Sequence, residues 1–147
     1  MTSQSRRTAL IAAIIACIGL ADSGYLTIKH LQGAFVQCED ECSAVLSSRY
    51  ADGIGGIPLA GFGAIAYAIV IVAALLAASG YQMGRRVFSG MAFVMALFSI
   101  WLIYLQAFVV HAFCKYCLAS AVVCFMLACL ALFDRVSGRN SEAKPLK

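Results

Sequence analysis

Charge is scarce in this chain. Of its 147 residues only 12% are Asp, Glu, Lys or Arg, while 63% are hydrophobic. A soluble domain of this size would carry about 25% charged residues. The composition therefore excludes an ordinary soluble domain and fits a polytopic membrane protein. Also lacking is any basic stripe with interleaved aromatics, so the formal net charge of +4 is no nucleic-acid signal. No internal repeat and no low-complexity segment interrupts the chain. The first apolar run follows Arg6 and Arg7, as a signal peptide would. It is longer than a usual signal core and has no small-x-small cleavage site before the next loop, so we read it as a retained helix.

Four apolar stretches are long enough to span a bilayer, which takes roughly 20 residues. They cover about 8–28, 58–79, 87–110 and 114–133. The expected fold is an all-α membrane protein, a four-transmembrane-helix bundle. Residues 1–136 form its membrane domain, 29–57 its outer loop, and 137–147 a polar tail expected to be disordered. Lys and Arg set the orientation. Eight lie at the N-terminus, in the turn between helices two and three, and in the tail; Lys29, Arg49 and Lys115 lie on the other side. Both termini are therefore expected in the cytoplasm, with the loop and Cys114 outside.

There are seven cysteines. Cys17, Cys124 and Cys129 are isolated within apolar stretches and read as small apolar residues. The other four form two close pairs on the outer side. Cys114-Lys115-Tyr116-Cys117 opens the last apolar stretch. Positions i and i+3 share a helix face, and helix N-termini favour reactive over inert cysteines. Cys38-Glu39-Asp40-Glu41-Cys42 lies in the outer loop with three acids between its thiols. Redox exchange is one reading of the two pairs. Structural disulfides and a zinc site of four thiolates are the others. The zinc reading is weakened because the pairs flank two whole spans.

The spacing from Ser43 to Ala51 fits one or two helical turns lying at the interface. Gly53, Gly55 and Gly56 break it, and Pro58 heads helix two, where proline is tolerated. Asp22 is an intramembrane acid, read either as a functional group or as a partly hydrated interfacial side chain. His111 reads as an interfacial side chain, with a proton shuttle as the alternative. The aromatics Phe93, Phe98, Trp101, Tyr104 and Phe108 of helix three read as packing, with a pocket for a flat ring as the alternative.

Together these residues resemble the vitamin K epoxide reductase family in its bacterial form. The resemblance covers nearly the whole chain. It rests on four helices, the Cys-x-x-Cys at the start of helix four, and the loop pair whose second member opens Cys42-Ser43-Ala44-Val45-Leu46-Ser47-Ser48-Arg49-Tyr50. Gly56-Ile57-Pro58 and Phe62-Gly63 also match.

The resemblance implies a quinone-dependent thiol–disulfide oxidoreductase of a bacterial inner membrane, DsbB-like in role. Cys38 would be attacked by a separate periplasmic thioredoxin-like (DsbA-like) partner. Cys42 would then exchange with Cys114, and Cys117 would face the quinone, a ubiquinone or menaquinone. Ser48, Phe62, Phe113 and Cys117 would contact the ring. Ala121 stands where animal enzymes that reduce vitamin K epoxide carry a tyrosine, which argues for an ordinary quinone. No metal is implied. The rivals are a non-catalytic membrane protein with structural disulfides or a metal, and a family member that reduces a naphthoquinone or its epoxide.

Overall fold

A computed structural model of the chain describes residues 3–32, 59–111 and 113–142. Among these there are four long helices and no strand: α1 (Ser3–Leu31), α2 (Leu59–Ala78), α3 (Gln82–Leu105) and α4 (Lys115–Glu142). Each contains a stretch long and apolar enough to cross a membrane. The fold is the expected all-α four-helix membrane bundle. Cys38, Cys42, Ser48, Pro58 and the interfacial turns expected after Cys42 lie outside the described residues.

The helices pack in a ring, α1 on α2 and α4, and α3 on α2 and α4. The packing faces are made of small residues. Ala12, Ala16, Gly19, Ser23 and Leu26 form a buried stripe down α1, spaced alternately four and three residues apart. Ala73, Ala74 and Ala77 of α2, Ala92 and Ala96 of α3, and Ala128 and Ala131 of α4 are buried against the neighbouring helices. Larger side chains face outward, such as Ile14, Ile18, Val72 and Leu97. This distribution suits lipid. Outward apolar side chains cost nothing in hydrocarbon, and association relies on close backbone approach through small residues.

Two devices fix the turns. Gly80, with φ 99°, ends α2. Its N–H bonds to the Ala77 carbonyl at 3.1 Å, and the Tyr81 N–H to that of Leu76 at 3.0 Å. This is a Schellman motif, whose left-handed residue glycine adopts without a Cβ penalty. The second device follows α3. Its last turn widens into a π-helical segment, Gln106–Val110, closed by His111 in the left-handed region with φ 53° and ψ 31°. The chain then enters α4 within three residues.

At the opposite end of the bundle Asp134 gathers three helices. Ser5 Oγ donates to its Oδ1 at 2.8 Å, and Arg85 Nε donates to its Oδ2 at 2.9 Å. Arg85 also donates to the Asp134 carbonyl at 3.3 Å. The starts of α1 and α3 and the end of α4 thus share one end, as alternating helix directions require.

The helices outrun the apolar stretches expected from sequence. α1 begins at Ser3 and reaches Leu31, so Lys29 is helical rather than in the loop. α4 continues through Glu142, so residues 137–142 are helical, not disordered. Once a helix is nucleated, polar residues without proline extend it at little cost.

Candidate functional site

Near the Cys114 end, the four helices diverge around a cavity of about 300 Å³. Its wall is mostly apolar. Leu59, Phe62 and Ala66 come from α2, Met95, Phe98 and Leu102 from α3. The polar groups on it are few and come from every side: Asp22 and Ser23 on α1, Tyr67 on α2, Ser99 and Gln106 from α3 and its π turn, and Cys117 and Ser120 on α4. A largely apolar chamber with a few converging polar groups is the usual form of a small-molecule site.

Cys114 caps α4. Its carbonyl accepts the Leu118 N–H at 3.0 Å, the first bond of the helix. The residue is fully buried. Its own N–H donates to Gln106 Oε1 at 3.0 Å. The π turn thus brings a buried amide across to satisfy a backbone donor that α4 itself has no acceptor for. Cys117 lies one turn into the helix, on the cavity wall.

The covalent state separates the two thiols. Cys114 is in a disulfide. Cys117 is free, as are Cys17, Cys124 and Cys129.

Deeper in the cavity Tyr67 is buried with its ring against Gly19, a position with no room for a Cβ. Its hydroxyl donates to the Ser120 carbonyl at 3.1 Å and lies 2.8 Å from Ser120 Oγ and 3.2 Å from Cys124 Sγ. On α1, Ser23 Oγ donates to the Gly19 carbonyl at 2.8 Å. Beside the cysteines, the Tyr25 and Tyr116 rings meet at 5.8 Å, and Lys29 Nζ lies 5.7 Å from the Tyr25 ring centre. That stack ties the end of α1 to the residue between Cys114 and Cys117.

Of the residues singled out from sequence, Phe62 and Cys117 share the cavity wall, and Asp22 and Ala121 join them there. Phe113 is exposed at the turn and is not part of this wall. Of the helix-three aromatics only Phe98 lines the cavity; Trp101, Tyr104 and Phe108 are exposed on the outer face, and Arg135 packs over the Phe93 ring. His111 is exposed, and its part in the fold is the left-handed residue that ends the π turn.

Sequence reading missed Tyr67, Gln106, Ser120 and Cys124. The last two carried a signal, since they lie three and seven residues beyond Cys117, on the helix face that Cys117 occupies. Cys124 is accordingly not an isolated apolar residue but a partner of the Tyr67 hydroxyl.

The four spans and the Cys-x-x-Cys on a helix N-terminus beside an interhelical cavity suit membrane redox chemistry. The model of the vitamin K epoxide reductase family matches residues 10–132, from early in the first span to late in the fourth. The chain belongs to this family of oxidoreductases.

Proposed function

We propose that the protein is a quinone-dependent thiol–disulfide oxidoreductase supporting disulfide formation outside the cytoplasm. A reduced thioredoxin-like partner attacks a Cys38–Cys42 disulfide at Cys38. Cys42, released as a thiol, exchanges with a Cys114–Cys117 disulfide at Cys114. Cys117 is thereby freed beside the quinone. Overall two electrons and two protons pass from the partner's dithiol to the quinone, giving the partner's disulfide and a hydroquinone. Exchange of this kind needs an attacking thiolate and a reachable disulfide at each step.

One observation carries this reading. Cys114 is in a disulfide while Cys117 is a free thiol on the cavity wall. A bonded Cys114 beside a released Cys117 thiol is the arrangement the relay passes through once the Cys114–Cys117 bond has been attacked. A purely structural role gives no reason for a free thiol at the third helical residue facing a chamber.

The chamber supports the substrate class. About 300 Å³ is at the lower end of small-molecule sites, enough for a ring but not for a long isoprenoid tail, which would leave between helices into the bilayer. Phe62 and Phe98 offer flat apolar contact, and Gln106 and Ser120 offer polar contact for ring oxygens. Ser48 and Phe113 would close the outer side. Ala121 puts no phenol on the wall, which favours an ordinary quinone over an epoxide. The excess of Lys and Arg at one end supports both termini in the cytoplasm and the cysteines outside it, the orientation this reading assigns in a bacterial inner membrane.

The test uses purified protein in detergent, a reduced thioredoxin-like dithiol protein and a short-tail quinone followed by absorbance. Wild type should reduce the quinone. Cys114→Ala and Cys117→Ala should abolish it, whereas Cys38→Ala and Cys42→Ala should fail with the protein partner yet retain turnover with a small dithiol. Absence of turnover with both ubiquinone- and menaquinone-type rings, together with stoichiometric bound zinc, would refute the relay.

A further inference from the structure

Asp22 is a carboxyl that the fold does not use. It lies within the first span, toward its outer end, on the wall of the chamber that also holds Cys117. Its Oδ2 is buried and makes no hydrogen bond. The contrast with Asp134, the other acid within a span, is direct. Asp134 joins three helices through Ser5 and Arg85. Asp22 ties no elements together, although an acid inside a membrane is expensive to keep.

An ionised carboxylate with an unpartnered oxygen against an apolar wall is costly. A protonated carboxyl in the same place carries a donor, and an acceptor entering the chamber can take it up. A quinone oxygen is such an acceptor, and quinone reduction consumes protons within a chamber whose wall is mostly apolar. Among the described residues, the other ionisable groups on this wall are Tyr67, whose hydroxyl donates to Ser120, the Cys124 thiol beside that hydroxyl, and the Cys117 thiol.

We propose that Asp22 is the acid that protonates one quinone oxygen during reduction, reloaded by a proton from the dithiol. This rests on the quinone reading given above. In the dithiol form, the Cys114–Cys117 S–S bond forms and two electrons pass to the ring. Asp22 gives its proton to one ring oxygen and takes the Cys117 thiol proton. The Cys114 thiol proton goes to the second oxygen. The quinone is reduced to the hydroquinone, the dithiol is oxidised, and Asp22 ends as it began.

The experiment compares wild type, Asp22→Asn and Asp22→Glu as the full chain in detergent. Each is reduced with dithiothreitol, freed of excess reductant and mixed rapidly with a short-tail ubiquinone. Thiol exchange with a small disulfide, without quinone, is measured in parallel. Asp22→Asn should slow quinone reduction by about 100-fold, the lower range for lost acid catalysis, with little change in KM. It should also change the solvent deuterium isotope effect and leave thiol exchange intact. Asp22→Glu should restore most of the rate. Wild-type rate and isotope effect in Asp22→Asn would overturn the assignment while leaving the quinone reading in place. So would equal impairment of both variants in both half-reactions, which would mark Asp22 as structural. If wild type itself reduces no quinone, the underlying reading fails and the role of Asp22 fails with it.

Discussion

Tyr67 shows how much a single buried polar group is made to do in this bundle. Its ring fills the space that Gly19 leaves open, and its hydroxyl meets three hydrogen-bonding partners on α4, donating to the Ser120 carbonyl. Hydrogen bonds between membrane helices average about 0.6 kcal/mol and reach about 1.7 kcal/mol. Tyr67→Phe keeps the ring and removes the hydroxyl. It should destabilise the protein by about 1 kcal/mol, read as a lower thermal midpoint in detergent. A midpoint equal to wild type would mean that Ser120 and Cys124 satisfy one another without it. Residues of this kind were the least legible in sequence. Cys114 and Cys117 announce themselves by spacing, and Asp22 by its apolar surroundings. Tyr67 and Gln106 look like ordinary members of apolar helices, because their meaning depends on which helix faces them. A single sequence gives the face of each helix but not the pairing of faces.

At the scale of elements, apolar run length was a reliable guide to the number of spans and a poor one to helix ends. Hydropathy marks where the bilayer lies; hydrogen bonding and capping mark where the helix stops. Hence α1 and α4 run past their apolar stretches into polar sequence. The π turn was not legible either, because nothing in Gln106–Val110 distinguishes it from the helix before it. Its first residue, Gln106, accepts the Cys114 N–H through Oε1. The α2–α3 hairpin was legible as a short turn, and its closeness has a specific cause. A Cβ on Gly84 would stand 2.7 Å from the Ala77 nitrogen and 2.8 Å from the Ala73 carbonyl oxygen. Backbone atoms cannot yield as a side chain does. Gly84→Ala should therefore cost about 1–3 kcal/mol of stability. Gly90 lies on the same helix with nothing within 4 Å of its Cβ position. There Gly→Ala should instead stabilise by about 0.5–1 kcal/mol, through helix propensity. Thermal unfolding of the two variants side by side checks both signs; a loss at Gly90 as large as at Gly84 would sink the close-packing account.

For the whole molecule, the decisive geometric property is which side of the membrane Cys114 faces. The bundle has two unlike ends. One carries Arg6, Arg7, Arg85, Arg86 and Arg135, with the Asp134 clasp among them. The other carries Lys29 and Lys115 beside Cys114 and Cys117. Cationic residues beside spans are retained on the cytoplasmic side, so the arginine-rich end should face inward. Green fluorescent protein fused after Lys147 should fluoresce in a bacterial host. Alkaline phosphatase fused after Leu31 should be active, and fused after Tyr81 inactive. The opposite pattern would reverse more than a drawing. It would place Cys114 and the loop pair in a compartment where thiols are kept reduced. A disulfide at Cys114 would then be a transient species at most, and electrons from an extracytoplasmic partner would have no path to the chamber. Orientation is thus a precondition of the relay, and five arginines at one end are the physical reason to expect it.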